Sequence, residues 1–395
     1  MSNQTMYRQV FLLASSQALF QTISVMVMTI GGLAGALLAN QPEYATLPIA
    51  TMFLGTACMM FPASMFMNKF GRRTGFLCGA FLGAMGGITA AASLYYHSLF
   101  LLALGTFFVG GYQSFAQFYR FAASEVADDQ FRPKAISWVM AGGVVAALLG
   151  PTLARLGGHL FALEYLGSFL ILTIIALLAM GVLSFLHIPH ATEATHETST
   201  GRTWQAIVTQ PAYFVALLVA ATGYGIMILG MTATPIAMKH AHHELGAITT
   251  VIQLHVLGMF LPSFFTGSLI ARFGNIKIML TGIACFVGYI LVGLLSSHVY
   301  AFAVALALLG VGWNFLFITG TALLTTTYTI TEKAKAQAIN DMTVFAVSLV
   351  CSFSAAGLLN HFGWKNMNLL LIFWLAAITA LLIWFSLKNK SLKNG

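Results

Sequence analysis

Along the chain, apolar runs alternate with short polar breaks, and each run has the ~20 residues a helix needs to cross ~30 Å of hydrocarbon. Twelve runs are centred near residues 22, 56, 85, 110, 147, 176, 223, 258, 287, 312, 348 and 377. The breaks carry turn or charge signals: Asn40-Gln41-Pro42-Glu43, Asn68 to Arg73, Asp128 to Lys134, Lys239 to Gly246, and Asn360 to Asn366. This periodicity predicts an all-α membrane protein with twelve transmembrane helices, spans 1 to 12 in chain order. The first run, about thirty residues, has no convincing small-residue cleavage site and is expected to stay as span 1.

Composition agrees with this reading and removes its rivals. Of 395 residues, eighteen are Lys or Arg and ten are Asp or Glu, so 7% are charged against 59% hydrophobic. Mean hydropathy is +0.87. A soluble domain carries roughly 25% charged residues, and a disordered chain is poor in apolar ones. The four cysteines all sit in apolar stretches, unlike a secreted disulfide framework. The formal charge of +8 is scattered, which argues against a nucleic-acid partner.

The charges also orient the chain, because Lys and Arg accumulate on the cytoplasmic side. With the N-terminus inside, fourteen basic residues fall in cytoplasmic segments, among them Arg8, Lys69, Arg72, Arg73, Arg132, Arg202 and Arg272. Three fall outside (Arg155, Lys239, Lys365), and Arg120 lies within or near a span. The expected setting is a bacterial inner membrane with both termini cytoplasmic.

The longest internal hydrophilic segment, 187–210, reads as a linker between bundles 1–186 and 211–395. Leu54-Gly55, Phe61 and Phe70-Gly71 recur as Leu257-Gly258, Phe264 and Phe273-Gly274 at a constant offset of 203. Arg132, Lys134 and Ala135 match Lys333, Lys335 and Ala336 at an offset of 201. Repeated halves are one recurring transporter architecture, and two six-helix bundles related by pseudo-two-fold symmetry are expected.

The segment Ser64-Met65-Phe66-Met67-Asn68-Lys69-Phe70-Gly71-Arg72-Arg73 resembles the signature loop between helices 2 and 3 of the major facilitator superfamily. Gly267 to Lys277 is similar to its degenerate second copy. Glu125, followed by Arg132-Pro133-Lys134-Ala135, resembles the pattern that closes helix 4 in that superfamily, and Gly150-Pro151 part of a Gly-Pro element of its antiporters. Asn68 stands where the signature has Asp, and Ser64 where it has its first Gly. The resemblance implies a secondary transporter with a cytoplasmic latch, which assigns gating to Asn68, Lys69, Gly71, Arg72, Arg73, Glu125, Arg132, Arg272, Gly274 and Asp341. Asp341 either supplies the missing acid by pairing with Lys69, Arg72 or Arg73, or is a solvated residue near a helix N-terminus.

The resemblance further implies a midplane cavity lined by spans 1, 4, 7 and 10, where polar groups are costly and usually functional. In span 4, Thr106, Gly110, Gln113, Gln117, Arg120 and Ser124 recur at spacings of three and four, which puts them on one helical face. Gln17 and Gln21 in span 1, Tyr224 in span 7, and Trp313 and Asn314 in span 10 complete the solute-binding candidates. Any one of these groups also fits a helix-to-helix contact. Arg120 suits either an anionic solute group or a cytoplasmic gate, including a pair with Glu125. His255, alone among the histidines at predicted mid-membrane depth, suits either proton coupling or a hydrogen-bonded core position.

No Asp or Glu falls deep within a predicted span, which disfavours cationic cargo and favours neutral polar or anionic solutes with aromatic parts. Candidates include vitamins, other aromatic anions and metal chelates of the siderophore type. A receptor without transport activity on the same scaffold is the rival class. The sequence lacks a nucleophile–base set, an H-E-x-x-H zinc motif and a G-x-x-x-x-G-K-[ST] loop, so neither an enzyme nor direct ATP drive is expected. The histidines near Lys239-His240-Ala241-His242-His243-Glu244 and at His187, His190 and His196 fit hydrophilic loops, and no metal or cofactor is expected. The expected partners are a small-molecule solute, the bilayer and a proton, with the chain a monomer.

Overall fold

A computed structural model describes residues 3–128, 131–188, 202–329 and 332–394. His190 and His196 lie outside the described residues, as does most of the 187–210 linker, and so do the side chains of Ser124, Arg132, Lys134 and Lys333. The helices are α1 (Asn3–Leu38), α2 (Leu47–Phe70), α3 (Arg72–Tyr95), α4 (Leu99–Ala116), α5 (Tyr119–Val126), α6 (Arg132–Gly158) and α7 (Leu166–Ser184). They continue as α8 (Trp204–Val208), α9 (Pro211–His240), α10 (Leu245–Phe260), α11 (Ser263–Phe273), α12 (Asn275–Leu295), α13 (Val299–Leu324) and α14 (Lys333–Asn394).

Eight of these helices are apolar spans on their own, α4 with the start of α5 makes a ninth (Leu99–Ala123), and α10 with α11 forms one more that bends by 43°. The remaining apolar stretch, Lys335–Lys388, has 54 residues. At ~1.5 Å per residue it would measure about 80 Å, far more than one bilayer. Gly363 divides it, with φ 71° and ψ 168° inside an otherwise helical run. The twelve expected spans are therefore present, although spans 11 and 12 are separated by one residue and not by a loop.

Two further breaks differ from the sequence expectation. Span 4 is not a single helix: Gln117 caps α4 through its N–H to the Gln113 carbonyl, and Phe118 starts α5. The tight Phe118 N–H to Phe115 O bond (3.1 Å) shifts the helical phase. The helix expected to run unbroken from Thr106 to Ser124 is therefore interrupted between Gln113 and Arg120. No proline or glycine marks this break. The bend in span 8 does have a sequence cause, because Pro262 has no N–H to donate back to the preceding turn.

The helices group into two compact units. One contains residues 1–192 with 242–253, the other 193–241 with 254–395. Each repeats the same close helix crossing. In the first, a Cβ on Gly55 would lie 2.2 Å from the Phe107 carbonyl oxygen, and one on Gly110 2.0 Å from that of Met52. In the second, a Cβ on Gly258 would lie 2.8 Å from the Ala307 carbonyl oxygen, and one on Gly310 2.4 Å from that of His255. The backbones of α2 and α4, and of α10 and α13, approach so closely that only glycine fits. Gly55 and Gly258 are 203 apart, the offset of the first repeated block, and Gly110 and Gly310 are 200 apart, close to the 201 of the second.

The repeated loops also share their geometry. Gly71 has φ 86° and ψ 155°, and Gly274 has φ 82° and ψ 160°, in each case linking two helices with no intervening residue. Before them, the Lys69 ammonium lies 5.3 Å from the Phe70 ring centre and the Arg272 guanidinium 5.2 Å from the Phe273 ring centre. This backbone region is essentially reserved for glycine.

Candidate solute-binding site

In the first unit the polar residues of α4 serve two purposes. Thr106 Oγ1 lies 2.8 Å from Thr51 Oγ1, and the Gln113 Oε1 accepts from Thr56 Oγ1 at 3.1 Å. Both contacts join α4 to α2, so the Gln113 carbonyl is spent on helix packing. On α1, the Gln17 amide donates to Gln21 Oε1 at 3.5 Å, and both side chains are half-buried. Gln117 and Arg120 are half-buried as well. The Arg120 guanidinium carbon lies 4.9 Å from the Phe121 ring centre, and its buried Nε has no partner among the described residues.

The second unit holds an aromatic group at the depth of Gly310. Trp313 and Phe317, one turn apart on α13, stack at 5.2 Å with only 11° between their planes. Tyr224 of α9 meets Trp313 edge-on at 5.6 Å and Phe317 at 5.1 Å, while Phe260 approaches Trp313 at 6.1 Å. Trp313 is 6% exposed, and its indole N–H has no acceptor among the described residues. A buried donor without a partner costs on the order of 1–3 kcal/mol unless something accepts from it. Phe317 and Phe260 escaped the sequence reading. Phe317 was recoverable from its i+4 spacing to Trp313, whereas Phe260 needed the packing of α10 on α13.

Asn314 is placed differently from Trp313. It is fully buried, and its Nδ2 donates to the Met259 carbonyl and to Ser263 Oγ, both at 2.6 Å. Its Oδ1 accepts from Thr266 Oγ1 at 2.6 Å. The side chain thus splints the bend between α10 and α11 that Pro262 creates. Its amide is consumed inside the bundle.

His255 is also fully buried, one turn before Met259. Its Nδ1 donates to the Leu306 carbonyl at 2.8 Å, which fixes the tautomer. Nε2 is left facing inward with no partner among the described residues.

At the helix ends, Arg72 grips Glu125 with two donors, the Nε to Oε2 bond being 2.6 Å and the Nη2 to Oε1 contact closer still. Glu125 therefore takes its cation from α3 and not from Arg120. Arg73 donates to the Ser184 carbonyl at 2.5 Å, and Asn68 and Lys69 are exposed. Asp341 Oδ1 accepts from the neighbouring Asn340 amide at 3.1 Å.

The sequence reading missed one ion pair entirely. Arg202, at the end of the linker, donates its Nε and Nη2 to the two oxygens of Glu332 at 2.7 Å each, and its backbone N–H to Oε1 at 2.9 Å. Thr329 N–H adds a bond to Oε2 at 3.0 Å. The Glu332 side chain is 3% exposed. Arg202, then the Thr329 amide, hold its carboxyl well below the usual carboxylate range. Its only sequence signal was a lone acid amid basic residues before span 11.

Twelve apolar helices, a duplicated bundle and polar groups inside each half define a membrane transport protein. The chain belongs to the major facilitator superfamily: the family's profile matches residues 10–239 and 215–394. It is therefore an integral membrane protein that moves a small molecule, and it is not an enzyme. It is 39% identical over 391 residues to the riboflavin transporter RfnT of Brucella anthropi, covering 97% of this chain and 96% of that one. The MFS-type transporter YdeG of Bacillus subtilis is 29% identical over 69% of this chain and 67% of its own length. Among solved structures, the nucleoside transporter NupG superposes with a TM-score of 0.72 at 12% identity, covering 96% of this chain and 99% of its own. FucP, in an outward conformation, gives 0.61 at 13% identity over 95% and 98%.

Proposed function

We propose that this protein carries riboflavin, or a solute with the same flat, uncharged, hydrogen-bonding ring system, across a bacterial inner membrane. The full-length 39% identity to a riboflavin transporter carries the reading. The aromatic group formed by Tyr224, Trp313 and Phe317 fits such a cargo, because a planar ring stacks on aromatic faces and the orphan Trp313 N–H supplies a donor for a ring carbonyl. Gln17, Gln21, Gln117 and Arg120 are the polar groups of the first unit assigned to solute binding, while the Gln113 carbonyl stays on Thr56.

In this reading the bundles 1–186 and 211–395, joined by 187–210, alternate access to the two sides as a monomer with cytoplasmic termini. The loop residues Asn68 to Arg73, Glu125, Arg132, Arg272, Gly274 and Asp341 gate the cytoplasmic side. His255, buried with one nitrogen unengaged, is the group assigned to proton coupling.

The test is uptake of radiolabelled riboflavin by a riboflavin auxotroph expressing the protein. Accumulation above the empty-vector level is expected, with Trp313→Phe lowering it several-fold through loss of the N–H. Absence of both uptake and growth rescue, with the protein present in the membrane, overturns the assignment. Uptake by His255→Gln that keeps its full dependence on a pH gradient removes His255 from coupling.

A further inference from the structure

The first unit carries an apolar groove on α1 and α7. Between α1 and α7 lies a groove of about 450 Å³, lined by Leu12, Ile174, Leu177, Leu178, Gly181, Val182 and Phe185. Every lining side chain is apolar, and around Gly181 a Cβ would meet nothing within 4 Å. Lined by apolar side chains alone, it offers no side-chain hydrogen bond to a polar solute.

What lies at its cytoplasmic end is charged. Arg8 sits one turn before Leu12 on the same face of α1, and it is exposed. At the end of α7, Arg73 reaches over from α3 to the Ser184 carbonyl, three residues past Gly181. His187 follows, its backbone N–H bonded to Gln9 Oε1 at 2.7 Å, which ties the end of α7 to α1 just beyond the groove. Among the described residues no carboxylate pairs with Arg8 or Arg73. Asp128 meets Met6 through its backbone N–H, and Met6 is on the opposite face of the helix from Arg8.

From this juxtaposition we infer that the groove is a site for one anionic phospholipid of the cytoplasmic leaflet. One acyl chain lies along Leu12, Leu178 and Gly181, and the phosphate is held between Arg8 and Arg73. An acyl chain is as apolar as the leucines and gains from filling a groove that otherwise forfeits contacts on one side. Basic groups at the cytoplasmic mouth of a helix cleft select anionic headgroups, and each one near the membrane surface contributes about fivefold in affinity. The site is separate from the aromatic group of the second unit and independent of which solute is carried.

The experiment is native mass spectrometry of the full-length protein equilibrated with mixed phosphatidylglycerol and phosphatidylcholine. Wild type is expected to retain one tight lipid, mainly phosphatidylglycerol. Arg8→Gln lowers that preference about fivefold while leaving a lipid bound. Gly181→Phe, which fills the groove from a position with open space, displaces the lipid whatever its headgroup. Unaltered thermal unfolding of each variant in lipid-free detergent confirms that the fold is intact. Equal retention of the two lipids by wild type, or an unchanged bound lipid in Gly181→Phe, overturns the inference.

Discussion

Replacing Asn314 tests whether its amide serves the fold or the solute. The structure assigns it to the fold, as the splint of the bend at Pro262, with three contacts at 2.6 Å. In Asn314→Leu, which keeps the volume, the Met259 carbonyl and the Ser263 hydroxyl each lose their partner. The Thr266 hydroxyl keeps one, because its single proton also reaches the Pro262 carbonyl at 2.8 Å. Two groups are thus stranded. At ~1 kcal/mol for each lost bond, or somewhat less by bilayer measurements, the cost is about 2 kcal/mol. For a cooperative unit of about 190 residues, that lowers Tm by roughly 4–8 °C. The assay is thermal unfolding of the purified protein in detergent, followed by intrinsic fluorescence, beside solute affinity measured on the same sample. Asn314→Asp keeps the shape but not the donors, and is expected to lose nearly as much stability. An unchanged Tm together with weakened solute binding would refute the reasoning and return Asn314 to the solute site.

Two further outcomes follow from the loops. Gly71→Ala and Gly274→Ala place a Cβ in a region of backbone space that only glycine occupies comfortably, at about 1–3 kcal/mol each; thermal unfolding should show both losses, and at Gly274 the surrounding space is open, so only the backbone conformation is at issue. An unshifted transition in both variants would contradict the assigned conformation. The Arg202–Glu332 clasp has a pH signature. The folded carboxyl titrates below its ordinary value of 4.5, so the clasp contributes fully above that pH and is lost as acid takes the pH through the lower folded value. Hydrogen exchange of the segment 202–210 should therefore stay slow from pH 8 to about 5 once corrected for intrinsic rates, then quicken under stronger acid. Glu332→Gln should quicken it at every pH, and identical protection in the variant would show that the clasp anchors nothing.

Much of this architecture was legible without coordinates. Spans announce themselves because a bilayer offers no water to the backbone, so each crossing must be a long apolar helix. The duplication was legible because glycine is required at matching positions, by close backbone approach at Gly55 and Gly258 and by positive φ at Gly71 and Gly274. Individual site residues were less legible. Spacing placed Gln113, Asn314 and Trp313 together as solute ligands, yet Gln113 and Asn314 turn to neighbouring helices while the Trp313 N–H has no acceptor among the described residues. Those outcomes depend on how each helix is rotated against its neighbours, a quantity that periodicity leaves open.

The sequence by itself determined the membrane setting, the number of spans and the repeat, each the result of a one-dimensional requirement on apolar length or on glycine. Only the tertiary structure decided which polar groups are already spent. Glu125 belongs to Arg72, Glu332 to Arg202 and Asn314 to the bend at Pro262. Partner choice among polar groups is a matter of ångströms between residues far apart in the chain, Arg202 and Glu332 being 130 positions apart. Hydrogen bonding weakens steeply outside its narrow range of distance and angle. That range exists only once the helices are packed.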